Sequence, residues 1–208
     1  MKRVLLSVAT LAIGAIVFVA CQKQVKPSET VDNNQAIVTL DAERSYIIPS
    51  HPDCKSPYEV VLDVNGNGDG TYTWIWKWTN NNPGNGKNGT AQDLSHWGLK
   101  LEACVDDPNN GAKFEHIVSA AYSYDGVNWT EFTPSYKPDP SIANTCGFTT
   151  PDILKFDAGT SGSTPSYYKL VVNKKFSVNR FSKAYYKSGR NTGCGEICIP
   201  SFCCICEH

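Results

Sequence analysis

Thr71-Tyr72-Thr73-Trp74-Ile75-Trp76-Lys77-Trp78-Thr79 decides the fold. Tyr72, Trp74, Trp76 and Trp78 occupy alternate positions, so an extended backbone projects all four rings from one face. The other face carries threonines and Lys77, with Ile75 its only apolar residue. Large rings bury much area, so the aromatic face is the natural inside of a sheet packed on a second layer. Trp78, nearest the polar stretch that follows, is the ring expected to be most exposed.

Working outward, short apolar runs alternate with clusters of Gly, Asn, Asp and Pro. Candidate strands are 36–40, 58–64, 71–79, 97–104, 116–124, 127–133, 152–156, 167–174 and 180–187. No stretch keeps a capped helical period. A single Met, 12 Pro and 16 Gly point the same way. The pattern predicts an all-β domain over 36–192, an antiparallel β-sandwich of immunoglobulin-like or jelly-roll-like type. Asn80–Thr90 consists almost wholly of turn-forming residues and reads as a long, exposed, mobile loop. His116–Phe132 reads as a hairpin turning at Asp125-Gly126, with Tyr122 opposite Trp129. A four-residue loop would instead pair Tyr124 with Trp129.

The N-terminus sets the compartment. Lys2 and Arg3 precede an apolar run from Val4 to Ala20, and Phe18-Val19-Ala20-Cys21 resembles a lipobox. Residues 1–20 read as a lipoprotein signal peptide. Cys21 reads as the lipidated residue, diacylated with palmitate-type chains, and 21–35 as a flexible tether. The alternative is an uncleaved membrane helix, for which this run is short. The partner implied by the anchor is a membrane, and the location a cell envelope; Gln22 and Lys23 point to the outer membrane. The chain has 19 basic and 20 acidic residues for a formal net charge of −1, and losing Lys2 and Arg3 makes it more acidic. No basic face stands out, which argues against nucleic acid.

Nine cysteines less the acylated Cys21 leave an even eight, which in an exported protein reads as a disulfide framework. Cys54, Cys104 and Cys146 lie in the body. Cys194, Cys198, Cys203, Cys204 and Cys206 crowd a Cys-rich C-terminal tail over 193–208. Because five is odd, complete intrachain pairing requires at least one bond from tail to body, which staples the tail to the domain. The alternative is a metal site, but the spacing, ending in His208, matches no common zinc pattern. No metal or cofactor is expected.

The candidate sites are few. Asp63 to Asp69 resembles the opening of a calcium loop, but the closing acid falls at Trp74. His51, His96, His116 and His208 pair with no nucleophile at a meaningful spacing. His96 follows Ser95, and neighbours on a strand point to opposite faces, so it reads as a packed or hydrogen-bonding histidine. Ser123-x-Asp125-Gly126-x-x-Trp129 resembles the Asp-box hairpin of sialidase-type propellers, one residue short, and that motif is structural. Asn88-Gly-Thr90 and Asn128-Trp-Thr130 fit the N-glycosylation sequon, although a bacterial-type signal argues against that modification. Trp78, Trp97 and Trp129 are the candidate ligand-binding rings. For them to stack on a sugar they must be exposed, with loop 80–90 walling one side.

DLSHWGLKLEACV (93–105), AYSYDGVNW (121–129) and YYKSGRNTGCG (185–195) together resemble segments of secreted bacterial β-sandwich modules of surface proteins and small lipoproteins. The resemblance spans roughly 58–206. It implies a fold and a location but no agreed activity, so no functional residue follows from it; the run Cys203-Cys204-Ile205-Cys206 departs from the pattern. The expectation is a lipid-anchored envelope lipoprotein acting as a non-enzymatic binding or structural module for a glycan or surface protein. The alternative is a small secreted hydrolase acting on glycan.

Overall fold

The computed structural model describes residues 44–47, 56–101 and 111–203, all within the unit Leu40–His208. The signal peptide, Cys21, the tether, the candidate strand 36–40, His51 and His208 lie outside the described residues. So do Cys54, Cys104, Cys204 and Cys206.

The chain forms two antiparallel sheets. One has the order β1 (Arg44–Ile47), β2 (Glu59–Gly66), β3 (Tyr72–Thr79), β9 (Ser166–Val172), β5 (Ile117–Ser123), β6 (Thr130–Phe132). The other has the order β11 (Cys194–Cys203), β10 (Ser177–Ser188), β4 (Leu94–Leu99), β8 (Ile153–Phe156), β7 (Tyr136–Lys137). This is an all-β sandwich. Tyr72 to Trp78 pair with β2 and β9 on either side, so the aromatic strand is central in its sheet.

The core follows from that alternation. Trp74, Trp76 and Trp78 are fully buried with Leu62, Tyr168 and Leu170 of their own sheet. From the facing sheet come Trp97, Leu99, Phe156, Ala184, Ile197 and Ile199. Each indole removes enough apolar area to stabilise by about 4 kcal/mol, as an upper figure on the area scale. Buried between the layers, Trp76 Nε1 donates to the carbonyl of Pro200 at 2.7 Å.

β1 and β7 were not among the candidate strands and β4 starts and ends earlier than the expected 97–104; two further departures bear on the site. The stretch expected to be a separate tail is β11, whose Ile197, Ile199 and Phe202 enter the core, so the sandwich runs on to Cys203. β11 lies at a sheet edge, where Pro200 lacks no ladder donor that a neighbour would need. The second is a short helix, α1 (Pro140–Cys146). Asp139 caps it by accepting from Ser141 N, Pro140 pre-sets the first turn, and Gly147 ends it in the left-handed region at φ 74. α1 packs on the outer face of the second sheet through Ile142, against Ile153 and Tyr185. Gly98 leaves the room, since a Cβ there would collide with Ile153.

Cys146 at the end of α1 is bonded to Cys194 at the start of β11. A bond from the cysteine-rich segment to the body was the expectation, and this is one. Cys198 is disulfide-bonded as well.

Candidate functional site

The five tryptophans divide four to one. Trp74, Trp76, Trp78 and Trp97 have no exposed surface. Trp97 stacks on Phe156 at 4.7 Å and meets Trp78 at 4.7 Å, and Tyr58 and Tyr168 close around Trp78. Trp78 and Trp97 therefore offer no ring face to a ligand, contrary to the expectation that placed them in a site. Both face inward from opposite sheets, so each ring takes the area a sugar would need.

Trp129 is half-buried. In the β5–β6 ladder Tyr122 pairs with Thr130 and Ala120 with Phe132. Neither expected register holds: the frame sets Trp129 opposite Ser123 across a five-residue loop, 124–128. A shift of one residue moves every side chain to the other face. Tyr122 points inward, while Trp129 lies on the outer face, where Lys169 Nζ sits 4.3 Å from the ring centroid.

The loop between them is built around Asp125. Its Oδ1 accepts from Val127 N at 2.8 Å, Asn128 N at 2.7 Å and Ser123 Oγ at 2.8 Å; its Oδ2 accepts from Asn128 Nδ2 at 2.7 Å. Ser123 Oγ in turn accepts from Gly126 N. The backbone and side-chain bonds from Asn128, with those from Val127 and Ser123, hold the carboxyl far below the ordinary carboxylate range. Gly126, at φ 76, lies over the Tyr167 ring. This hairpin exposes Tyr124 (53%) and Val127 (77%), with the Tyr124 ring 5.6 Å from that of Tyr122. A rigid hairpin carrying apolar and aromatic side chains into water is pre-organised to bind.

Loop 80–90 differs from the mobile wall expected. Asn80 is buried and donates to the carbonyl of Ala91, Asn82 donates to Gly89 O, and Asn85 O accepts from Asn191 Nδ2. Asn81 donates to Glu59. Most of its amides are spent on the loop and its neighbours, which fixes its shape. The Asp63–Asp69 stretch is likewise the end of β2 and a hairpin turn: Asp69 Oδ1 accepts from Thr71 N and Oγ1, and Asn67 bonds Thr71 and Thr73. Among the described residues no group of three or more His, Cys, Asp or Glu could hold a metal ion.

The structure also gathers a polar node that sequence spacing does not show. Asp139 Oδ2 lies 2.8 Å from His96 Nε2 and 3.3 Å from Lys155 Nζ, and Lys155 also reaches Asp157 at 2.7 Å. Ser141 Oγ is 3.2 Å from His96 Nε2 and donates to Asp139 Oδ1 at 2.7 Å. Burial opposes ionisation of Asp139, but the Ser141 side-chain and backbone bonds, with His96 and Lys155, outweigh it and bring the carboxyl down to about 2. Burial and the Lys155 ammonium push His96 below its ordinary value, against the pull of Asp139 and Asp157.

Three residue types of a hydrolytic triad meet here, but their order is wrong for it. Serine and carboxylate share one ring nitrogen, Nε2, where a triad uses both. Ser141 gives its own proton to Asp139 Oδ1, so it approaches Nε2 with none left to give. The group is a capping and charge-pairing device for α1. The signal for part of it was present in Asp139-Pro140-Ser141, a cap followed by a first-turn proline; His96, far off in the chain, gave none.

No known protein family, curated protein or solved structure matches the chain.

Proposed function

We propose that this protein is a lipid-anchored cell-envelope lipoprotein, held through Cys21 at the outer membrane, and that it acts as a non-enzymatic glycan-binding module. The β5–β6 hairpin is its binding element. The observation that carries the reading is Trp129: it alone of the five tryptophans leaves the core, on a hairpin frozen by Asp125 that also exposes Tyr124. Rings on rigid supports stack on sugars with little ordering cost. The hydrolase reading has less support, because Ser141 gives its proton to Asp139 and both meet the same His96 nitrogen, where a triad uses two.

Two measurements test the two halves of the proposal. Cys21→Ser should abolish acylation and release a folded protein from membranes. Normal retention, with no acyl mass on the wild-type protein, would contradict the anchor. In a binding assay against insoluble envelope polysaccharide, the wild-type domain should sediment with the polymer, and Tyr124→Ala should sediment less at unchanged melting temperature. A wild-type domain that stays in the supernatant with every polymer would contradict the glycan reading.

A further inference from the structure

Four Asn-Gly pairs fall among the described residues: Asn65-Gly66, Asn67-Gly68, Asn85-Gly86 and Asn88-Gly89. In such a pair the backbone nitrogen of glycine can attack the asparagine Cγ, since no side chain shields it. The N–Cγ bond forms, the side-chain nitrogen leaves as ammonia, and water opens the resulting succinimide to aspartate or isoaspartate. A cradle that holds the amide or the attacking N–H slows the step.

Three of the pairs are held. Asn65 and Gly66 end β2 within the β2–β3 ladder, opposite Thr73 and Tyr72, and are kept extended. Asn67 uses both ends of its amide, donating from Nδ2 to Thr71 at 2.8 Å and accepting at Oδ1 from Thr73 at 3.0 Å. Asn85 Oδ1 accepts from Lys87 N at 3.1 Å, and Gly86 N donates to Thr90 Oγ1 at 3.2 Å.

Asn88 is different. It is exposed at the tip of the 80–90 loop, with φ 53, the only non-glycine residue at positive φ among those described. Thr90 N donating to Lys87 O at 3.0 Å closes the turn, with Asn88 and Gly89 (φ 82) at its centre. The Asn88 amide has no hydrogen-bond partner among the described residues, and nothing lies within 4 Å of a Cβ built on Gly89. Thr90 N and Oγ1 both donate to Lys87 O and Asn82 Nδ2 donates to Gly89 O, but none of these bonds engages the Asn88 amide or the Gly89 N–H, the two groups that react.

We infer that Asn88 is a site of spontaneous covalent modification, deamidating ahead of the asparagines in the other three Asn-Gly pairs among the described residues. The product adds one negative charge to the loop that leaves β3 at the same end of the sheet as the β5–β6 hairpin. Incubating the intact protein in mildly alkaline buffer and mapping tryptic peptides against a zero-time digest tests this, because cleavage after Lys77 and Lys87 puts Asn88 and Asn85 on separate peptides, apart from the one that carries Asn65 and Asn67, which fragmentation sequencing tells apart. Acid at position 88 should accumulate several-fold faster than at 65, 67 or 85, and that lead should vanish in the reduced, guanidinium-unfolded chain. Asn88→Gln should remove the early acidic species on ion exchange. An intact Asn88, a lead at Asn67 or Asn85, or a lead that persists unchanged on unfolding would overturn the inference.

Discussion

At the scale of the residue, His96 links pH to folding. It faces Asp139 and Ser141 from the α1 end, Lys155 and Asp157 from β8, and Lys187 from β10. Its folded value lies below the ordinary 6.5. The unfolded chain therefore takes up the proton first, and stability fully present above pH 6.5 is lost as pH falls toward the folded value. Asp139 acts at lower pH: present above 3.8, its contribution of about 2 kcal/mol is lost as pH falls through about 2. Urea unfolding across this range should show a declining midpoint below pH 6.5 for the wild type and a flatter profile for His96→Gln. Identical profiles would remove His96 from the account. Asp139→Ala strips the α1 cap and leaves Asp157 as the remaining anion beside Lys155 and His96, so it should destabilise by about 2 kcal/mol. The cap was legible in Asp139-Pro140-Ser141, but its pairing with His96 was not, because the two are brought together by the packing of α1 on β4 and β8.

Elements were legible in proportion to how much of their pattern is local. β3 declares itself, because period-two alternation of four rings has no helical reading, and β2, β5, β8 and β9 follow within a residue or two. β11 hid behind its cysteines: Cys194 to Cys206 read as a framework and masked the inward Ile197 and Ile199. α1 is too short to show a helical period, although its cap, proline and terminal glycine were all in view. The hairpin register failed because Asp125 closes the loop through its own carboxylate, so the turn residues do not set the strand frame. Asp125→Ala should free that loop with little change in melting temperature while hydrogen exchange at Val127 and Asn128 accelerates; unaltered exchange would show that the carboxylate does not hold it. Breaking the α1–β11 link with Cys146→Ser plus Cys194→Ser opens a loop with a sequence separation of 48 residues. Chain entropy sets the loss at about 4 kcal/mol, measured as a lower denaturant midpoint.

For the whole molecule, one aromatic core joins the two sheets, and function is assigned to what that core leaves outside. Trp78→Ala and Trp97→Ala should each cost about 3–5 kcal/mol, because the cavity opens between packed layers. Trp129→Ala removes a half-buried ring from the outer face and should cost far less. The sandwich itself was readable from the sequence; which tryptophan faced water was not, since that depends on a register set by one carboxylate. The most direct test of the central claim is a glycan array probed with the wild-type domain and with Trp129→Ala, both verified as folded by melting temperature. The wild type should bind a defined set of glycans, and the variant should lose them. A blank array for the wild type, or a set that Trp129→Ala retains in full, would contradict it.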